Sequence, residues 1–307
     1  MRNKAIKIIL AVLILSTGLL FTGCGNGNYA ETGSLIISAD EALSMAEESG
    51  WLMLDAQKKT SFEKEHLSGA VNIERAEITV KTPVPNSLAP GNLIAEVAGN
   101  AGLTAESNVI IYDDNNNMDS GRLAWTLMIY GHNGQIKIVS GGLAALKNEG
   151  AEIVAGAMSA SKASYTTGPP NPDMITGKNE ILNWLNNPSE NIVILDVRSD
   201  EEYNNGTIPG AVHIDYLENN FNDGTYKSIQ HIKIMYKEAG IMPEDTVIMF
   251  CKSSIRAAQT YAALYNAGYR NLRIYDGAWL EWSADSNLPV FKPVVPGQVQ
   301  LQVEDAS

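Results

Sequence analysis

The chain has 307 residues, 22 basic against 35 acidic, with a formal net charge of −13. Hydrophobic residues make up 45% and charged residues 19%, a globular composition that excludes a disordered chain, while the acidity argues against a nucleic-acid binder. Two cysteines and four histidines, with no H-E-x-x-H spacing, exclude a disulfide scaffold and point to no metal site.

Arg2, Lys4 and Lys7 precede an apolar run from Ile8 to Leu20. That run is short of the roughly 20 residues that span a bilayer, so it reads as a secretory leader. Leu20-Phe-Thr-Gly-Cys24, then Gly25-Asn-Gly-Asn28, resembles a bacterial lipoprotein lipobox. The resemblance implies a signal peptide over residues 1–23, lipid on Cys24 and a tether over 24–33. The protein is then expected outside the cytoplasm, anchored to the membrane by lipid and not spanning it. Cys251 would have no intramolecular partner there, and an unpaired exported thiol is flagged as reactive.

Ser38-Ala-Asp-Glu41 has capping-box spacing and opens an amphipathic helix through Ala46. Short apolar runs at 51–54 and 109–112 read as strands buried on both faces. A helix over 121–130 and a strand over 136–139 follow. Ser159 to Pro172, rich in Ser, Gly and Pro, is a linker. Strands at 192–195 and 247–250, a helix at 255–266 closed by Gly268, and a strand at 272–275 then repeat the order.

The halves are one unit used twice. Trp51 to Asp55 echoes Ile192 to Asp196 at an offset of 141, and Leu67 to Val71 echoes Ile208 to Val212 at the same offset. Val109 to Asp113 echoes Val247 to Cys251 at 138, Tyr130-Gly-His132 echoes Ala267-Gly-Tyr269 at 137, and Val139-Ser-Gly141 echoes Tyr275-Asp-Gly277 at 136. Two domains are expected over 34–150 and 175–290, joined by 151–174 and followed by a tail, 291–307. The alternation predicts an α/β fold in which each domain is a mostly parallel sheet flanked by helices.

Cys251 directly follows an apolar strand, and the turn Lys252-Ser253-Ser254 enters a helix near Ile255. Loops at the carboxyl ends of parallel strands bind ligands, and such a turn aims several backbone N–H groups at one point. With Lys252 and Arg256 alongside, the local field favours a thiolate and draws in an anion. The plainer alternative is a buried structural cysteine.

Leu195-Asp-Val-Arg198, Glu202-Tyr203, Gly206-Thr-Ile-Pro-Gly-Ala211, Cys251-Lys-Ser-Ser-Ile-Arg-Ala257 and Tyr275-Asp-Gly-Ala-Trp279 together resemble a rhodanese domain. The first repeat resembles it more weakly, so the chain looks like a tandem-rhodanese thiosulfate sulfurtransferase. The resemblance implies ping-pong transfer of sulfane sulfur through a Cys251 persulfide to cyanide or a thiol, without cofactor or metal. It implies substrate contacts at Arg198, Lys252, Ser253, Ser254, Ile255 and Arg256, some of them through backbone. Arg198 has an open alternative, a buried ion pair with Asp196 or Glu202. Arg256 could equally brace the helix. Trp279 and Trp282 read as packing and His213 as structural.

Thr207 stands where the family usually has histidine, Ser253 where some thiosulfate enzymes have a second basic residue, and Ser254 where many have glycine. Lys252 favours thiosulfate over 3-mercaptopyruvate, whose enzymes have uncharged loops. The first repeat carries Asp113 at the nucleophile position and Gln57 for the expected arginine, so it is expected to be non-catalytic. The run from Asp113 to Asp119 lacks the Gly and Glu of an EF-hand loop, which argues against calcium. A cysteine phosphatase would space Cys and Arg by five residues, against four here. The main rival is a carrier or sensor lipoprotein that holds sulfur on Cys251 without turnover. A monomer is expected.

Overall fold

The computed structural model describes residues 35–293. The leader, the lipobox with Cys24 and most of the tail lie outside them. Among the described residues no helix is long and apolar enough to cross a membrane.

The first sheet has five parallel strands in the order Ile36–Ile37, Ile136–Val139, Asn108–Tyr112, Trp51–Asp55, Val71–Asn72. The second repeats it: Ile175–Thr176, Leu272–Tyr275, Thr246–Phe250, Ile192–Asp196, Val212–His213. The central strands are continuous apolar runs because helices cover both faces. Ser38 caps the helix Ala39–Glu47 by accepting from the Glu41 amide at 3.3 Å. The expected helix at 121–130 runs over Met118–Ile129, starting a turn earlier.

That helix packs on Ile255–Asn266 across the domain boundary, and each is buried on nearly every side. This explains why neither shows a clear polar stripe in the sequence. Gly121 marks the closest approach. A β-carbon there would lie 3.0 Å from Gln259 Cα and 3.1 Å from the Ala258 carbonyl oxygen. One apolar core therefore runs from Leu54, Val109 and Ile111 into Val247 and Met249.

The linker is fastened to the first domain. Ile153–Val154 pairs antiparallel with His66–Leu67. The amides of Ala163, Gly168 and Asn171 donate to the carbonyls of Gly99, Tyr130 and Ile129 at 2.9, 3.0 and 2.8 Å. Tyr165 is buried beside His132, with its hydroxyl 3.1 Å from Nδ1.

Candidate active site

Cys251 sits at the carboxyl end of the strand Thr246–Phe250, buried and free of any disulfide. Its carbonyl accepts from the Trp279 amide at 2.9 Å, and that of Lys252 from the Leu280 amide at 3.2 Å. Both carbonyls are thus engaged by the start of the helix Ala278–Ala284. Among the described residues, no protein acceptor takes the amides of residues 252–256. Lys252 is exposed, and Ile255 is buried at the helix start.

Ser254 takes the place of the usual glycine, yet holds the left-handed conformation at φ 69°. That conformation costs an L-residue about 1–2 kcal/mol. The side chain offsets the strain: Oγ lies 3.2 Å from the Tyr275 carbonyl oxygen and 2.7 Å from that of Asp276. Ser253 Oγ accepts from Asn86 Nδ2 at 2.8 Å, a contact from the first domain.

Arg256 is held by Glu202 at 2.5 and 2.9 Å. Burial works against its charge, but the bond to Glu202 and the adjacent Cys251 raise its pKa above the ordinary guanidinium range. Glu202 is pulled down to about 2, chiefly by its bond to Arg256. Arg256 therefore both braces the helix start and stands beside the sulfur.

Arg198 is held in a buried ion pair. Its Nε donates to Asp196 at 2.9 and 3.1 Å, and Nη2 to Asp196 at 2.6 Å and to the Gly206 carbonyl at 2.7 Å. The guanidinium lies 4.2 Å from the Trp279 ring centroid and is 2% exposed. Of its two readings, the structure supplies the buried ion pair. Thr207 adds a hydroxyl to the same Asp196 at 2.8 Å. His213 stacks on Tyr203 and contacts the Arg198 carbonyl, and Trp282 is buried in the second domain's own core, so both are structural.

The equivalent turn of the first domain closes around its own carboxyl group. Asp113 Oδ1 accepts from the amides of Asn115 and Asn117 at 3.0 and 3.1 Å. Oδ2 accepts from those of Asp119 and Ser120, both at 2.8 Å, and from Ser120 Oγ at 3.1 Å. Burial and Asp119 push this carboxyl up, and the donors oppose them. The turn is one residue longer than that of Cys251: Asn117 caps its helix where Ser254 caps the other, and Asn116 and Asn117 are both left-handed. Asp113 is fully engaged by these donors, and no cluster able to hold a metal occurs among the described residues. Gln57 meets Asp55 through its amide at 2.8 Å and Nε2 at 2.7 Å. Without a cation there, burial raises Asp55 to about 6.

A family model of the rhodanese-like domain matches residues 38–149 and 179–285. The chain belongs to the rhodanese family. It is a rhodanese-family sulfurtransferase with the domain used twice. It is 25% identical over 275 residues to a Mycobacterium bovis protein named "Putative thiosulfate sulfurtransferase 1", covering 83% of this chain and 97% of the relative. A Haloferax volcanii protein named "Putative thiosulfate sulfurtransferase" is 23% identical over 289 residues, covering 87% and 99%. Among solved structures, SseA from Escherichia coli, described as a 3-mercaptopyruvate sulfotransferase, superposes with a TM-score of 0.71 at 22% identity, covering 80% of this chain and 99% of its own. EanB in complex with ergothioneine gives 0.74 at 19%, covering 85% and 70%. At these identities the superpositions establish the fold.

Each rhodanese domain also reaches over the other's turn. The first-domain hairpin of Thr79–Val80 and Ser87–Leu88 brings Asn86 to Ser253, and the Leu88 amide to Asp276 Oδ2 at 2.7 Å. The second-domain hairpin closed by Asn220 and Tyr226 brings the Gly224 carbonyl to Asn117 Nδ2 at 2.8 Å, and the Tyr226 amide to Ser140 Oγ at 2.8 Å. Arg122, on the first-domain helix, is fully buried against the Asn86 carbonyl and Asp276. Burial lowers its pKa, while Asp276 and Cys251 pull it back up. Sequence reasoning missed Asn86, Arg122 and Asp276. The available signal was an arginine directly before the largely apolar run 123–129 of the same helix.

Proposed function

We propose that the second rhodanese domain moves sulfane sulfur from thiosulfate to cyanide or a thiol through a persulfide on Cys251. The Cys251 thiolate attacks the outer sulfur of thiosulfate. A new S–S bond forms, the S–S bond of thiosulfate breaks, and sulfite leaves with the electron pair. The acceptor, as cyanide or thiolate, then attacks the outer sulfur of the persulfide. Thiocyanate or an acceptor persulfide departs, and the Cys251 thiolate returns.

One observation carries this reading. In the sister turn, four amides converge on one carboxyl group, so this turn is built to offer several N–H donors to a single acceptor. At Cys251 the equivalent turn, one residue shorter, starts from a thiol, with Arg256 beside it and Lys252 next in the chain. The amides of 252–256 and Arg256 are the proposed substrate and persulfide contacts, with Ser253, Ser254 and Ile255 contributing backbone. Arg198 acts by fixing the strand end beneath them. The names of the curated relatives favour thiosulfate. No cofactor or metal enters this chemistry.

The protein is further proposed to be a monomeric, extracytoplasmic lipoprotein tethered through Cys24, with a small sulfur anion as donor.

Intact mass of the full chain in detergent, after thiosulfate and with or without cyanide, tests the reaction. The expected result is a gain of one sulfur atom, absent in Cys251→Ala and removed by cyanide with thiocyanate released. No gain with thiosulfate but gain with 3-mercaptopyruvate would reassign the donor. Loading followed by a stall under excess of both substrates would make the protein a carrier.

A further inference from the structure

The repeat makes the two turns controls for one another. Beside the Asp113 turn, the crossing helix presents Gln259, whose Nε2 donates to Asn220 Oδ1 at 3.0 Å. The sheet end presents Ser140, which accepts the Tyr226 amide. Beside the Cys251 turn, Arg122 and Asp276 occupy the matching places, 137 residues before Gln259 and 136 after Ser140. Backbone partners match as well, since Asn86 and Leu88 stand 138 residues before Gly224 and Tyr226.

The fold is therefore satisfied by two neutral side chains on one side and carries a charged pair on the other, with Arg122 fully buried and Asp276 15% exposed. Burying an ion pair generally gains no stability over a neutral or apolar replacement. Packing alone gives no reason for the difference. Nor is the charge of Arg122 well compensated. Its contacts with Asp276 Oδ1 are 3.3 and 3.4 Å, and its Nε is buried with no hydrogen-bond partner. Asp276 in turn touches the reactive turn, since its carbonyl takes Ser254 Oγ.

We propose that Arg122, supplied by the domain without a nucleophile, is a positioning residue of the Cys251 site: it seats the Asn86 arm on Ser253 and adds positive field to the sulfur across the domain boundary. This rests on the reading of Cys251 as the nucleophile. Arg122 does not transfer sulfur. It makes the turn more favourable for an anion approaching the sulfur.

The test compares two alkylating agents of similar size, anionic iodoacetate and neutral iodoacetamide, on the full chain in detergent. Rates are followed by mass on the peptide containing Cys251. Access to the buried sulfur affects both reagents alike, so the ratio of their rates reports charge. Arg122→Gln, the residue the repeat itself uses, is expected to lower the iodoacetate-to-iodoacetamide ratio about tenfold. Asp276→Asn is expected to raise it, and Arg122→Lys to keep it within about twofold of the native value. A residue that only packs would slow or speed both reagents together. An unchanged ratio in Arg122→Gln, or a ratio that falls in Asp276→Asn, overturns the proposal. If Arg122→Gln does not fold, Asp276→Asn decides alone, and an unchanged ratio there overturns it too. Thiosulfate loading on the same samples separates the two readings. Failure to load in the native protein counts against the donor and leaves the ratio standing. Normal loading with a flat ratio removes Arg122 alone.

Discussion

Glu202 grips Arg256 with both carboxylate oxygens, at 2.5 and 2.9 Å, and so fixes the cation that stands beside Cys251. Glu202→Gln is expected to slow sulfur loading by about tenfold, because one arm of the grip and its charge are lost. The same pair predicts acid behaviour. Glu202 is depressed to about 2 from an ordinary 4.5, so the unfolded chain binds its proton more readily. The pair's stabilisation is full above pH 4.5 and disappears as pH falls toward 2. Denaturation midpoints of native and Glu202→Gln proteins should differ at neutral pH and converge toward the acid end.

Asp55 has the opposite sign. Burial raises it to about 6, so the folded state prefers its neutral form. Its contribution is full below pH 3.8 and is lost as pH rises through about 6. Asp55→Asn, which stays neutral, should therefore gain stability relative to the native chain between pH 5 and pH 8. Parallel melts at those two values check it. The sister aspartate, Asp196, is paired with Arg198 at 2.6 Å, and Asp196→Asn should instead lose stability at pH 8.

Asp113→Ala leaves the amides of Asn115, Asn117, Asp119 and Ser120 without the carboxylate they now share. A loss of roughly 2–4 kcal/mol is expected from such orphaned buried donors. Denaturant titration measures it. Mass after thiosulfate should still show one sulfur per folded chain, because the silent turn has no thiol to load.

Much of this was legible in the sequence. The offsets between halves placed both sheets, since strands buried on two faces are written as unbroken apolar runs. The place of Cys251 at a strand-to-helix turn was legible because an unbroken apolar run ends just before it and a helical run begins four residues on. The partner of Arg198 was not, since one D-V-R motif serves an ion pair or a substrate equally well, and only the fold shows the buried pair with Asp196. Arg122 was hidden for another reason. Its partners, Asn86 and Asp276, lie 36 residues before and 154 after it, and only the packing of two helices brings them together. The extra residue in the Asp113 turn was visible as the step in offset from 138 to 137. Its location became clear only once the two helix caps could be matched.

Cys24 carries the prediction on location. Metabolic labelling with a radioactive fatty acid should mark the protein, and Cys24→Ala should remove the label and release the chain from the membrane fraction. Retention of the label in that variant would reassign the anchor.

The glycine-to-backbone crossing at Gly121 has a consequence for how the molecule comes apart. The helices it joins belong to different domains, and the apolar core is continuous through them. Neither half can open without exposing the other's interior, so the two domains form one cooperative unit. Heating should give a single transition, with calorimetric and van't Hoff enthalpies in agreement. Gly121→Ala, which wedges a methyl between the helices, should lower that one transition as a whole and leave no half melting alone. The first domain thus stands or falls with the second, and a lesion far from Cys251 can set how long the turn that holds it stays folded.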